Sequence, residues 1–202
     1  LTACMNKSLG FLNKMEITKV DPRVLRTRRL LIASFITVAQ VKEFKDITIK
    51  EITDEATVNR ATFYAHFIDK YDLLDAVISE KIVKSIQEKL NSHDTLNEDT
   101  IIKIFLAVTN FQTELSTQCR KSYESISAII EQKIKKELET VFYALLLKRI
   151  LLKEKEALRI GAVMLSWGIY GASVDWQDTS SISAEQYIKI AMPYLLNGMA
   201  VH

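Results

Sequence analysis

The chain has 202 residues, 48% of them hydrophobic and 26% charged, with a formal net charge of +2. That length allows one large or two small domains with a sizeable core, and the near-neutral balance excludes a uniformly basic protein. Glycine is absent from Phe11 to Arg159 and the only prolines are Pro22 and Pro193. With so few breakers and long periods of Leu, Ile, Lys and Glu, the chain is expected to be all-α, with about nine helices and no strand.

Charge is spread unevenly. Residues 1–70 hold twelve Lys and Arg against eight Asp and Glu, and the remainder holds fifteen against seventeen. The first part is thus net positive and the rest slightly negative, as in a chain with one nucleic-acid-binding end. Scatter of surface charge gives the same numbers, so motifs must decide. Cys4 and Cys119 form no metal-type spacing, and a reduced, cytoplasmic protein is the simple expectation. The N-terminus has no apolar core of signal-peptide length followed by a cleavage site. The longest uncharged run, Ile160 to Val174, is short of the roughly 20 residues that span a bilayer, so no membrane partner is expected. His66, His93 and His202 are scattered. No HExxH, glycine-rich phosphate loop, Ser-His-acid order or paired-carboxylate site stands out, so no catalytic residue, metal or cofactor is expected.

Residues 1–20 show no strong period and are expected to be a flexible segment, with Met5 and Met15 both candidate starts. Asp21-Pro22 marks a helix start, Asp as cap and Pro in the first turn. The helix over 22–42 is expected to bury Leu30, Leu31, Ser34, Phe35, Val38 and Val41. Its first turns carry Arg23, Arg26, Arg28 and Arg29, either as a solvated basic face or as dispersed phosphate contacts.

Ile47 to Leu74 is the informative stretch. Thr48 with Glu51 makes a capping-box pattern, and the short helix it starts turns Ile49, Ile52 and Ala56 to one side. Thr57-Val58-Asn59 is a polar turn. Asn59 can cap a second short helix, Arg60 to His66, in which Phe63 and Phe67 point inward. Arg60, Ala61, Thr62, Tyr64 and His66 fall on the remaining surface. A guanidinium, a hydroxyl, a phenol and an imidazole with no acid among them suit phosphate oxygens and base edges. Two such helices form a helix-turn-helix, whose second helix enters the DNA major groove while the first braces it. Lys70 opens the next helix, capped by Asp69, where the positive end of the helix already favours a phosphate. The candidate DNA contacts are therefore Thr48, Asn59, Arg60, Ala61, Thr62, Tyr64, His66 and Lys70.

The helix from Lys70 to about Leu90 has Leu73, Leu74, Val77, Ile78, Ile82 and Ile86 on one face. Residues 91–95 are polar and read as a loop. Helices are then expected over 98–115, 125–152, 153–176 and 183–199, the last with a capping box of Ser183 and Gln186. Residues 116–123 are ambiguous. From Ile160 onward the third of these helices is apolar nearly all round, and its Gly161, Ala162, Ser166, Gly168, Gly171 and Ala172 allow close approach of another helix.

Thr62-Phe63-Tyr64-Ala65-His66-Phe67, followed by Lys70 and Leu73-Leu74, resembles the signature of the tetracycline-repressor (TetR) family of transcriptional regulators. The resemblance covers roughly residues 24–80, reaching back through Ile47-Thr48-Ile49 and Ile52, and leaves out the C-terminal part. Two positions depart from the pattern, Thr57 and Glu43 standing where glycine is usual. A residue other than glycine there either adopts a left-handed backbone at a cost or reshapes the turn. The resemblance implies a helix-turn-helix domain over 21–68 and a ligand-binding and dimerisation domain over 69–202. It implies a homodimer on a palindromic double-stranded DNA operator, a repressor released by a small apolar effector. The last two helices would pair with their copies, placing Leu165, Gly168, Ala172, Tyr187, Ile190, Ala191 and Tyr194 near the interface. An effector pocket would be lined by Phe105, Phe111, Gln112, Tyr123, Phe142, Trp167 and Tyr170, residue types that are more often plain core. The rival reading is a helical interaction or small-molecule-binding protein without DNA binding, and an enzyme is a weaker rival.

Overall fold

A computed structural model of the chain describes residues 21–91, 93–149 and 155–197. The expected flexible segment 1–20 with Cys4, the join near 150–154 between two expected helices, and the end of the last helix with His202 lie outside those residues. The described residues form eight α-helices and one 3-10 turn, with no strand among them, so the all-α expectation holds. They fall into two compact units. One holds the chain up to Ile78 together with Glu114–Ile130, and the other holds Ser79–Thr113 and the chain from Glu131 onward.

In the first unit, α1 (Pro22–Val41) starts where its cap and proline dictate. The Asp21 carboxylate accepts the Arg23 N–H at 2.8 Å. Its inward stripe is Leu31, Ser34, Phe35 and Ala39, at helical spacing. Leu30 and Val41 were expected on that stripe. They lie a step off it and are 42% and 64% exposed. The helix ends against residues far along the chain: the Lys121 ammonium donates to the Val41 carbonyl and the Ser122 hydroxyl to the Lys42 carbonyl, both at 3.0 Å. Two of the carbonyls that any helix leaves open at its C-terminus are closed in this way.

A 3-10 turn, Phe44–Asp46, leads into α2 (Ile49–Glu55), α3 (Arg60–Tyr64) and α4 (Lys70–Gln87). Leu31, Phe35, Phe44, Ile47, Ile52, Ala56, Phe63, Phe67, Leu73 and Leu74 are buried together in this unit. The Phe44 ring meets Phe35 edge-on at 6.2 Å and Tyr71 at 5.0 Å between centroids. α3 is shorter than the sequence suggests, ending at Tyr64 rather than His66.

The turn between α2 and α3 takes the costly alternative. Thr57 has a φ of 51°, in the left-handed region, and it is β-branched. Its N–H still reaches the Asp54 carbonyl at 3.1 Å, and Val58 N–H reaches Thr53 at 3.0 Å. Glu43, the second departure, has a φ of −69° and needs no glycine.

In the second unit, the larger parts of α5 (Glu98–Gln118) and α6 (Tyr123–Arg149), with α7 (Lys155–Thr179) and α8 (Ala184–Asn197), supply most of the chain. The ambiguous residues 116–123, which belong to the first unit, resolve into the end of α5 and a tight turn, with Ser122 N–H on the Cys119 carbonyl at 2.9 Å. Ile82, Ile86, Ile104, Phe105, Val108, Ile134, Leu138, Phe142, Ala162 and Ile169 form the core. Gln177 ties α7 to α5 through the Thr109 carbonyl at 3.4 Å and the Thr113 hydroxyl at 3.3 Å. α8 begins with the expected capping box, Ser183 and Gln186 exchanging backbone and side-chain bonds at 3.2 Å each.

α7 and α8 pack closely. A Cβ placed on Gly168 would come within 2.8 Å of the Leu195 Cδ2, so this glycine serves its own chain's helix pair. The Tyr187 hydroxyl donates to Asp175 at 2.5 Å, and its ring lies nearly parallel to Phe105, 6.0 Å away at 6°. The bond to the Asp175 carboxylate, with burial, pushes the Tyr187 phenol up to about 12. α7 is long and apolar enough to cross a membrane by length and composition alone.

Replacing Thr57 by glycine removes the left-handed penalty of about 1–2 kcal/mol and adds up to about 1 kcal/mol of unfolded-chain entropy. The net expectation is a gain of about 0.5–1 kcal/mol, read as a higher urea midpoint with an unchanged m-value; a lower midpoint contradicts the account of the turn.

Candidate nucleic-acid interface

α2 and α3 are short, 7 and 5 residues, and their ends are closed by side chains. At α2 the Thr48 hydroxyl accepts the Glu51 N–H at 3.3 Å, and the Glu51 carboxylate accepts the Thr48 N–H at 3.0 Å and hydroxyl at 2.9 Å. Glu51 also pairs with Lys42, just past the end of α1. The Lys42 ammonium and the Thr48 donors hold the Glu51 carboxyl down to about 2. At α3 the Asn59 Oδ1 accepts both the N–H and the hydroxyl of Thr62, at 2.8 and 2.9 Å. Phe63 and Phe67, 0% and 2% exposed, anchor the underside.

With those two rings buried, Arg60, Ala61 and Tyr64 stand in the solvent, while Thr62 and His66 are half-buried. Tyr64 is 57% exposed and its ring meets Phe63 edge-on at 5.5 Å. Thr48 and Asn59 are exposed too, but their side-chain oxygens are engaged as caps. The expected DNA contacts thus fall on one short segment, yet they divide into groups that project and groups that hold the backbone.

Lys70 departs most from its expected role. Its ammonium donates to the carbonyls of Phe44, Lys45 and Ile47 at 2.9, 2.9 and 3.0 Å and lies 4.9 Å from the Phe44 ring centre. An ammonium has three donors, and here all three are used. Lys70 fastens the 3-10 turn that leads into α2 instead of pointing to a phosphate. No sequence pattern announces this, because the acceptors are backbone atoms of a turn some 25 residues earlier. Arg28, one of the four arginines at the start of α1, lies over the Phe67 ring at 4.6 Å. Ile68, 80% exposed beside the segment, was not singled out from sequence.

The residues expected to line an effector pocket differ in their surroundings. Phe105, Phe111, Gln112 and Phe142 are buried in the second unit. Gln112 is 2% exposed, and its Oε1 has no hydrogen-bond partner. Tyr123 is half-buried in the first unit. Trp167 and Tyr170 line an open groove of about 430 Å³ with Glu131, Lys135, Asp175 and Asp178. The Lys135 ammonium lies 3.8 Å from the Trp167 ring centre and pairs with Glu131 at 2.6 Å.

The expected dimer residues also divide. Gly168 faces α8 of its own chain, and Tyr187 is turned to Phe105 and Asp175. Leu165, Ala172 and Ala191 are half-buried, and Ile190 and Tyr194 project, 65% and 66% exposed. Ile160, Met164 and Trp167 on α7 are exposed by 46%, 70% and 60%. Helix periodicity makes these three one stripe.

Lys70→Met leaves three carbonyls without their donor and is expected to cost about 1–2 kcal/mol after allowance for its partial exposure. Loss of amide protection at Phe44–Ile47 in hydrogen exchange checks it. A carboxyl held low in the fold stabilises it above its ordinary value near 4.5 and loses that contribution as pH falls towards about 2. Glu51→Gln should therefore flatten the acid limb of stability between those values, measured by denaturation at stepped pH; an unchanged limb counts against the Glu51 cluster.

Residues 37–77 match the model of bacterial regulatory proteins of the tetR family. An uncharacterised HTH-type transcriptional regulator of Bacillus subtilis (strain 168), YxbF, is 38% identical over 69 residues, which are 34% of this chain and 18% of that protein. The chain thus spans about a fifth of the length of that curated relative. The whole fold is similar to a TetR transcriptional regulator from Rhodococcus sp. RHA1, with a TM-score of 0.58 at 17% identity over 87% of this chain and 99% of the other. A TetR transcriptional regulator from Streptococcus agalactiae 2603V gives 0.56 at 18% identity over 88% and 96%. Capped short helices, buried phenylalanines and the matched segment agree: the head of this chain carries the helix-turn-helix segment of the tetR-family regulatory proteins, on a fold similar to that of solved TetR regulators.

Proposed function

We propose that the chain is a cytoplasmic, homodimeric regulator that binds a palindromic double-stranded DNA operator and leaves it when a small apolar molecule occupies its body. The observation that carries this reading is the projecting side of α3. Arg60, Ala61 and Tyr64 are exposed with no acid between them, over a backbone held by Asn59 and the buried Phe63 and Phe67. A rigid rod with that surface fits a major groove.

Dimerisation is supported by the stripe Ile160, Met164 and Trp167 with Ile190 and Tyr194 on α8, all exposed. A second copy covering this side accounts for the apolar length of α7 without a membrane. Two heads at fixed spacing would match two half-sites about one helical turn apart. The effector reading draws on the aromatic core of the second unit and on the orphaned Gln112 Oε1, a buried acceptor that a bound molecule could satisfy. A molecule that binds better to a form with misplaced heads lowers DNA affinity, and DNA lowers its affinity by the same factor. Repression is the simplest outcome of occupying an operator.

Fluorescence anisotropy with duplexes from the region upstream of the gene tests the reading. Binding should weaken steeply with salt, by a slope of about −0.9 per phosphate contacted. Tyr64→Ala or Thr62→Ala should weaken it about tenfold or more. No binding at low salt would favour a helical interaction protein without DNA contacts. Met164→Glu combined with Tyr194→Glu should convert a dimer to a monomer in sedimentation; a dimer that survives both changes lies elsewhere.

A further inference from the structure

We propose that Arg60 is the residue through which this head reads sequence, and that the base it reads is a guanine, one in each half-site. This rests on the DNA-binding reading above and adds the identity of a base and of its reader.

Sequence in a major groove is read by side chains that present a pair of hydrogen-bonding atoms to one base edge. Arginine grips the two acceptors of guanine, while asparagine or glutamine grips the donor and acceptor of adenine. On this head the polar groups divide by what they are already doing. Both lone pairs of the Asn59 Oδ1 are taken by Thr62, so Asn59 has no acceptor left for the amino group of adenine. The Thr62 hydroxyl has spent its one donor on Asn59. Lys70 is held by three carbonyls and Arg28 by the Phe67 ring. The nearby acids Glu51 and Asp54 are paired with Lys42 and Lys50.

Arg60 carries an unengaged pair of donors on α3 itself. It is the first residue of α3, it is exposed, and no described residue hydrogen-bonds or ion-pairs with its guanidinium. The first residues of a recognition helix are those that reach base edges. Its planar fork is free to meet N7 and O6 of one guanine. Ala61 beside it offers only a methyl, and the Tyr64 phenol, one turn on, offers a single donor suited to a phosphate.

The test is selection of bound duplexes from a random library by the full-length chain, as wild type and as Arg60→Gln, followed by affinity measurements on the selected site. Wild type should enrich two half-sites, each with one invariant G·C pair. Arg60→Gln should lose that requirement or exchange it for A·T while the rest of the half-site persists. Replacing that guanine by 7-deazaguanine, which lacks N7, should weaken wild-type binding roughly 5- to 150-fold and leave Arg60→Gln unaffected. A wild-type motif that Arg60→Gln reproduces unchanged overturns the assignment and spares the DNA-binding reading. So does a wild type that tolerates the deaza base, a measurement that needs no variant. A wild type that enriches no sequence overturns both.

Discussion

A helix of five residues cannot hold itself together, because nucleation costs more than so few backbone bonds return. Every claim about α3 therefore depends on what closes its ends and fills its underside. Asn59 closes the start, and Phe63 with Phe67 fills the space beneath. The same device recurs on either side: Thr48 and Glu51 at α2, and Asp69, whose carboxylate accepts the Tyr71 and Asp72 N–H groups at 2.8 Å, at α4. Lys70 then pins the approach to α2 from the opposite end. The strain at Thr57 is tolerated because caps on both sides fix the turn between them.

The body follows a different logic. Its helices are long enough to stand on packing, and small residues decide how closely they meet. Gly168 lets α8 approach α7, and the Tyr187 hydroxyl on Asp175 locks the pair. What that pairing leaves uncovered is a row of large apolar side chains on α7 and α8. Large exposed apolar surface on a folded chain marks a place where something else binds. Trp167 is partly shielded already by the ammonium of Lys135 over its ring.

The fold was legible in the sequence wherever local chemistry decides. Asp21, Thr48 with Glu51, Asn59, Asp69 and Ser183 with Gln186 each announced a helix start, and each caps one. The apolar spacing of α4 through Ile86 also held. Legibility failed where the deciding partner is distant. Lys70 looked like a phosphate ligand from its own neighbours and proved to serve three carbonyls near residue 45. Gly168 looked like an intermolecular contact and proved to serve Leu195. The aromatic residues of the body could not be sorted into core and surface from periodicity, because α7 is apolar nearly all round, and Trp167 fell on the outside.

Lys121 and Ser122, which close the end of α1, belong to a turn that the chain reaches only after passing through the other compact unit. The first unit is thus discontinuous in sequence. Cutting the gene after Ile78 would deliver a fragment missing its own Glu114–Ile130, with the Val41 and Lys42 carbonyls opened to water. The first 78 residues are therefore not a self-sufficient segment: the closure of their own first helix is lent by an elbow encoded some 80 residues downstream.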